Sequence, residues 1–230
     1  MKWLPGIREF GNLDEREASL LTRLEREFDQ DPKKLIGKSK RPTARDFQLI
    51  GTLIQVYCFA ELSARQIIEL IDTATPGRQP DSASRLAPHD VFPKLAEAAE
   101  RLHNTGKGNL KETLTRAAGT VAMHRQIRHA LAHWAVRRVE GGKAYLLLSK
   151  HSQEAKKRHG KLGGAEMMNY GIMGVATLRR ELKKLEQHTQ NLSIAAAAMS
   201  ADREILAKMT INAPAEAQSA TPLKRLPRPQ

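Results

Sequence analysis

Three residues just past the middle of the chain carry the side chains that phosphodiester chemistry needs. Arg128, His129 and His133 lie within the six-residue run Arg-His-Ala-Leu-Ala-His. A histidine can accept or donate a proton near neutral pH, and an arginine can hold two phosphate oxygens and stabilise charge that develops on them. His129 and His133 are four residues apart, so on a helix they share a face. These three residues are therefore the candidate catalytic group.

The charge around this group favours a polyanionic partner. The chain has 230 residues and a formal net charge of +13. Residues 107–161 include 13 basic and 3 acidic side chains, a net charge of +10. Such a concentration of positive charge is typical of nucleic-acid-binding proteins. The flanking residues expected to contact a nucleic-acid backbone are Arg137, Arg138, Lys150, Lys156, Lys157 and Arg158.

Other chemistries lack the residues they require. The two segments rich in glycine and lysine do not have the spacing of a phosphate-binding loop. Cys58, the single cysteine, lies in an apolar stretch, where we expect it to be buried and unreactive. His124, His129 and His133 have no nearby carboxylate that would complete a zinc site. We therefore expect no metal ion and no cofactor.

The segment Arg128-His129-Ala130-Leu131-Ala132-His133 resembles the R-x4-H signature of HEPN domains, with His129 at the signature's polar position. The context is also similar, because the signature ends a late helix and is followed by a glycine turn and another long helix. The resemblance extends over residues 43–198. It implies a helical bundle and a metal-independent endoribonuclease.

In this chemistry the 2′-OH of RNA attacks the neighbouring phosphate, leaving a 2′,3′-cyclic phosphate and a 5′-OH. The resemblance implies a homodimer in which Arg128 and His133 of each copy face a shared cleft, with His129 orienting or polarising them. It also implies a role as a toxin or defence effector, with a protein antitoxin or regulator as a further partner. The alternative is a non-catalytic helical module that binds RNA or a protein through the same basic face. A DNA-binding regulator is disfavoured because no helix-turn-helix is evident.

Two sets of residues are expected to support the candidate group. Glu61 falls on an otherwise apolar helix face, where a charge needs a partner. Arg128 or Arg125 is the expected partner, which would let Glu61 hold the catalytic arginine; the alternative is a structural ion pair or a rim position. Trp134 and Tyr145 either stack on bases or, alternatively, pack the following hairpin against the bundle.

The elements that must position these residues are mostly helices. Apolar spacing predicts helices near residues 13–28, 43–72, 90–103, 109–134 and from 172 or 175 to 198, with a short helix at 202–209. Loops are predicted at 33–42, 73–88 and 152–164. Residues 135–149, with Gly141 and Gly142 between two apolar runs, predict a β-hairpin with a two-residue turn.

The sequence thus predicts an all-α bundle of about five main helices, with the hairpin after the motif helix and a disordered C-terminal tail. Its predicted divisions are an N-terminal helix and basic linker at 1–42, the HEPN-like bundle at 43–210 and the tail at 211–230. Neither a signal peptide nor a membrane span is predicted, so we expect a soluble cytoplasmic protein with no membrane partner.

Overall fold

The computed structural model describes residues 13–76, 83–102, 110–149 and 169–202. Within these residues the α-helices are α1 (Glu15–Gln30), α2 (Pro32–Lys38), α3 (Ala44–Ala74), α4 (Val91–Ala99), α5 (Leu110–His133) and α6 (Val175–Ala201). The strands are β1 (Ala135–Val139), β2 (Ala144–Ser149) and β3 (Asn169–Gly174). The predicted all-α bundle with a hairpin after the motif helix is confirmed. The predicted tail and the helix at 202–209 lie outside the described residues, apart from position 202.

Helices α3, α4, α5 and α6 pack against one another and form the main core. Large apolar side chains from all four helices fill it: Leu53, Ile67, Leu95, Leu114, Ile127, Leu178 and Leu185. The start of α3 is fixed by a capping box, in which the Thr43 side chain accepts from the Asp46 backbone and the Asp46 carboxylate accepts from the Thr43 backbone. These contacts satisfy backbone donors that the first helical turn leaves unpaired, and they confirm the predicted helix start.

A small antiparallel sheet of order β1–β2–β3 lies between the bundle and the N-terminal helices. On β2, Tyr145 and Leu147 pack against the bundle, whereas Ala144 and Leu146 pack against α1 and α2. Successive residues of a strand point to opposite faces, so β2 is apolar along almost its whole length because both faces are covered. The bundle, the sheet and the α1–α2 pair form three layers.

Three local predictions differ from the structure. Residues 33–42 were expected to be a loop, but Asp31 accepts from the Lys34 backbone and starts α2 at Pro32. Strand β3 was not predicted at all. The hairpin turn spans residues 140–143 rather than two residues, with positive φ at Glu140, Gly141 and Gly142. Two glycines supply left-handed backbone conformations here at little cost, which lets the turn close.

Helix α1 is tied to the start of α6 by one buried carboxylate. Glu17 accepts hydrogen bonds from the Thr177 backbone N–H at 3.0 Å and from the Thr177 hydroxyl at 2.7 Å. Arg180 donates to the other oxygen of Glu17 at 3.0 Å. A side chain at Gly174 would collide with the Glu17 carboxylate, so this position must stay small. Glu17 therefore caps a helix that lies far away in the sequence.

Helix α3 is the one described helix whose length and composition would allow it to cross a membrane. Its contacts with α4, α5 and α6 are those of the central helix of a bundle. Its most apolar 18-residue stretch is 33% buried within the described structure.

Candidate active site

The two motif histidines lie side by side at the C-terminal end of α5. The rings of His129 and His133 are 4.7 Å apart between centroids and are inclined by 46°. His133 is exposed and His129 is half-buried. Ala132, also exposed, lies next to them and leaves room above the helix surface. The structure therefore brings both histidines to one accessible face, as the sequence predicts.

Helix α4 is much shorter than α5, which carries the motif. Lys111, at the start of α5, forms an ion pair with Glu100 just after α4, so the two helices are joined at that end. Helix α4 has 9 residues and α5 has 24, so α4 runs beside only part of α5. The motif lies on the last turns of α5.

Arg128 lies on the same turns and has no carboxylate partner in the described structure. Its Nε is buried and has no hydrogen-bond partner, and no described residue forms an ion pair with its guanidinium. The guanidinium carbon instead lies 5.9 Å from the centroid of the Tyr57 ring, on α3. The terminal nitrogens of Arg128 thus carry no carboxylate and are free to bind an anion.

The Tyr57 ring is a fixed part of the core. Its side chain is 1% exposed, and its ring meets Phe92 of α4 in an edge-on arrangement. Burial, aided by the charge of Glu61, raises the pKa of the Tyr57 hydroxyl. The phenol therefore stays neutral at physiological pH, and a neutral ring next to a guanidinium is attractive.

Glu61 does not hold the candidate catalytic arginine, and the alternative, a structural ion pair, is the correct one. Glu61 pairs with Arg65, one turn along α3, at 2.6 Å, and does not pair with Arg128 or Arg125. Arg65 also donates to the carbonyl oxygens of Ala83 and Leu86, so the pair anchors the segment that leads into α4. Arg65 is four residues from Glu61 on the same helix, so the two side chains are close whenever α3 forms. This explains why Glu61 pairs with Arg65 and not with an arginine on another helix.

Helix α5 displays the other basic residue that was expected to support the motif. Arg125 is exposed one turn before Arg128 and His129. Its charge opposes the rise in the pKa of the Tyr57 hydroxyl, which places Arg125 in the same neighbourhood. Arg125 thus remains available for a phosphate.

The two arginines of β1 that were expected to contact a nucleic-acid backbone are engaged within the fold instead. Arg138 forms an ion pair with the buried Asp46 at 3.2 Å, which engages its guanidinium in the fold. Arg137 is half-buried and pairs in register with Leu146, on the side of the sheet that faces α1 and α2. The remaining expected contacts, Lys150, Lys156, Lys157 and Arg158, lie outside the described residues.

Trp134 and Tyr145 pack the hairpin against the bundle. Trp134 is 7% exposed and Tyr145 is fully buried. The Tyr145 hydroxyl donates to Asp46 at 2.7 Å. Neither ring is available to stack on a base, so the packing alternative is the correct one.

Helix α3 carries an uncharged apolar strip on its outer surface. Phe47 and Leu62 are each 61% exposed and Phe59 is 51% exposed. Cys58 is exposed on the same strip, so the expectation that it is buried is wrong. The exposed residues of α3 between positions 47 and 66 include no acidic or basic side chain. We call the apolar ones among these residues, Phe47, Cys58, Phe59 and Leu62, the α3 strip.

A buried polar cluster behind the motif was not predicted. His124 is fully buried, and its Nε2 lies 3.2 Å from Glu181 of α6. Burial alone would raise the pKa of Glu181, but hydrogen bonds from His124 and Lys184 hold it below its ordinary value. The pKa of His188 is lowered, chiefly by burial and also by the charges of His124 and Arg116. The sequence signal that could have revealed this cluster is Glu181, a charged residue among the leucines of α6.

The described residues contain a cleft but no cluster of the kind that binds a metal ion. In residues 13–76, 83–102, 110–149 and 169–202, no three or more His, Cys, Asp or Glu side chains cluster as metal ligands would. A cleft of about 770 Å³ lies between α1, the hairpin turn and the start of α6. Its lining includes none of the motif residues, and its basic and acidic side chains are equal in number.

Comparison with known proteins returned no match: no family model, no curated protein and no solved structure is similar to this chain at a significant level. Function therefore has to be argued from the site itself.

Proposed function

We propose that this protein is a metal-independent endoribonuclease of the HEPN type, with Arg128, His129 and His133 as its catalytic residues. The observation that carries the proposal is the state of Arg128. Its guanidinium has no acidic partner among the described residues, and it lies on the same open turns as two adjacent histidines. Four of the six half-buried arginines in the described residues are paired with a carboxylate, whereas Arg128 is not: Arg65, Arg101, Arg138 and Arg180.

The chemistry assigns one task to each side chain. His133, the most exposed of the three, takes the proton from the 2′-OH as that oxygen attacks the neighbouring phosphorus. The bond from phosphorus to the 5′-oxygen breaks, and that oxygen receives a proton to give the 5′-OH. Arg128 holds the non-bridging oxygens, whose charge grows in the transition state, and His129 orients or polarises the pair. The other product is a 2′,3′-cyclic phosphate.

A second copy of the chain completes the site. One chain supplies a single exposed His133, whereas the reaction needs one group to remove a proton and another to deliver one. The α3 strip is the surface on which we place the second copy. With a net charge of +13 per chain, two copies repel each other over most of their surfaces, and the strip is apolar and uncharged.

The strip is also near the motif. Cys58 and Leu62 lie one turn apart on it, and Cys58 follows Tyr57, whose ring supports Arg128. Two chains that meet at their α3 strips therefore bring their motif faces to neighbouring positions. We extend the proposal to a cytoplasmic toxin or defence effector, whose activity an antitoxin or regulator would hold in check.

Cleavage of a labelled mixed-sequence RNA in EDTA tests the proposal. Arg128→Ala and His133→Ala should each lower the cleavage rate about 100-fold or more, because each removes a group that acts in the transition state. The matched controls are Arg116→Ala, an exposed arginine on the same helix, and His89→Ala, an exposed histidine outside the motif. Both controls should cleave like the wild type and leave cyclic phosphate ends.

Two results would contradict the nuclease. Equal cleavage by all five proteins would mean that the activity does not come from this motif. If none of them cleaves but all bind RNA equally, the non-catalytic binding module is the correct interpretation. Titration with salt then measures how many phosphates the bound protein neutralises, because each one weakens binding as salt rises.

A further inference from the structure

The Tyr57 ring is the closest described support of the Arg128 guanidinium. The guanidinium carbon lies over the ring, 5.9 Å from its centroid. The ring is in turn held by Phe92, with 5.8 Å between the two centroids. A fixed aromatic face from α3, supported by α4, thus underlies an arginine from α5.

An aromatic support has a chemical consequence that a carboxylate would not have. A carboxylate binds the terminal nitrogens of an arginine through two parallel hydrogen bonds and neutralises its charge. A ring attracts the face of the guanidinium plane and leaves the edge of that plane free. Glu61, the nearest acidic candidate, is already engaged by Arg65 at 2.6 Å.

We propose that Tyr57 is a positioning residue for Arg128: its ring holds the guanidinium in place while leaving the terminal nitrogens free for a phosphate. This inference rests on the proposed nuclease function for its kinetic consequence, but the contact itself can be tested separately. The ring provides the support and the hydroxyl does not take part, since the hydroxyl is buried without a hydrogen-bond partner in the described structure. Phenylalanine should therefore replace Tyr57.

Two variants of Tyr57 and one matched control separate positioning from stability. Tyr57→Met keeps a large flexible apolar side chain but removes the aromatic face, whereas Tyr57→Phe keeps the face. Phe28→Met removes a fully buried ring from the separate cluster between α1, α2 and the sheet, and so serves as the control for general loosening of the core. All three are made in the full chain and compared at equal folded fraction.

The first readout does not depend on catalysis. The ¹⁵N–¹H resonance of the Arg128 Nε, assigned by its absence in Arg128→Lys, reports the ring beneath it. We expect Tyr57→Met to shift this resonance, while Phe28→Met leaves it near its wild-type position. An unmoved resonance in Tyr57→Met would overturn the proposal, even if the protein cleaves RNA as proposed.

The second readout is the rate of RNA cleavage. Tyr57→Met should lower kcat about tenfold with little change in KM, because Arg128 acts mainly on charge in the transition state. Tyr57→Phe should restore the wild-type rate. A loss as large in Phe28→Met, or no rescue by Tyr57→Phe, would overturn the positioning role. If the wild type itself does not cleave RNA, the proposed nuclease function is wrong. The shift of the Arg128 Nε resonance then tests the contact with Tyr57 by itself.

Discussion

Replacement of Leu62 by alanine is expected to weaken self-association of the chain. Leu62 is 61% exposed near the C-terminal end of the α3 strip, and the proposed second copy would cover it. Full burial of a leucine contributes about 1.5–3 kcal/mol, so burial of the exposed part contributes roughly 1–2 kcal/mol, of which alanine retains a share. With about 1 kcal/mol lost from each copy, the dissociation constant should rise about 30-fold.

Sedimentation velocity over a range of protein concentrations measures this change directly. A second assay uses the single cysteine of the chain. Cys58 is exposed one turn from Leu62, so a short bis-maleimide should link two wild-type chains and link fewer in Leu62→Ala. Cys58→Ser should give no linked product, which confirms the site of linkage.

The control for this experiment is Ile194→Ala. Ile194 is 59% exposed on α6, outside the α3 strip, so its loss removes a similar exposed apolar surface from another helix. We expect it to leave the dissociation constant within about threefold of the wild type. The reasoning is refuted if Leu62→Ala changes the constant by less than about threefold, or if Ile194→Ala weakens association as much.

Two further predictions concern stability. Glu181→Gln should cost about 3 kcal/mol of unfolding free energy, because it takes the carboxylate away from buried His124, and thermal melts measure this. Because the pKa of Glu181 is lowered, its contribution to the free energy of unfolding is present above pH of about 4.5 and is lost as the pH falls through the folded-state pKa. Acid titration of the wild type should show this loss of stability. If Glu181→Gln were as sensitive to acid as the wild type, the assignment would be contradicted. Glu17→Ala should cost about 1–2 kcal/mol by uncapping α6 at Thr177, whereas the exposed Glu15→Ala should be nearly neutral in urea unfolding.

The helices could be predicted wherever local signals agreed with the final packing. Helix α3 has dense apolar residues and a Thr43 cap, and α5 ends where Trp134 leads into the hairpin. Strand β3 gave no such signal, because two of its residues, Gly171 and Gly174, are glycines with little intrinsic strand preference. It exists because β2 offers an edge for pairing.

The placement of the candidate residues on one helix could be predicted, but their surroundings could not. The spacing of Arg128 and His133 is local, so it survives in the structure. The contact between Arg128 and the Tyr57 ring joins two helices that are distant in sequence. It could not be predicted by pairing opposite charges, because the ring is uncharged. Cys58 illustrates the same limit, because apolar neighbours in sequence do not reveal whether a helix face is covered.

The contact between Glu17 and Thr177 also bears on when α1 can dock during synthesis of the chain. Its partner Thr177 lies 160 residues further along the chain, so on the ribosome α1 emerges long before the helix that it caps. Until then the inner face of α1 lacks β3, the strand with which it makes most contact, since β3 is made just before Thr177. Contacts across so long a separation form slowly. The N-terminal helix is thus the first part of the described fold to be synthesised and among the last to reach its final place.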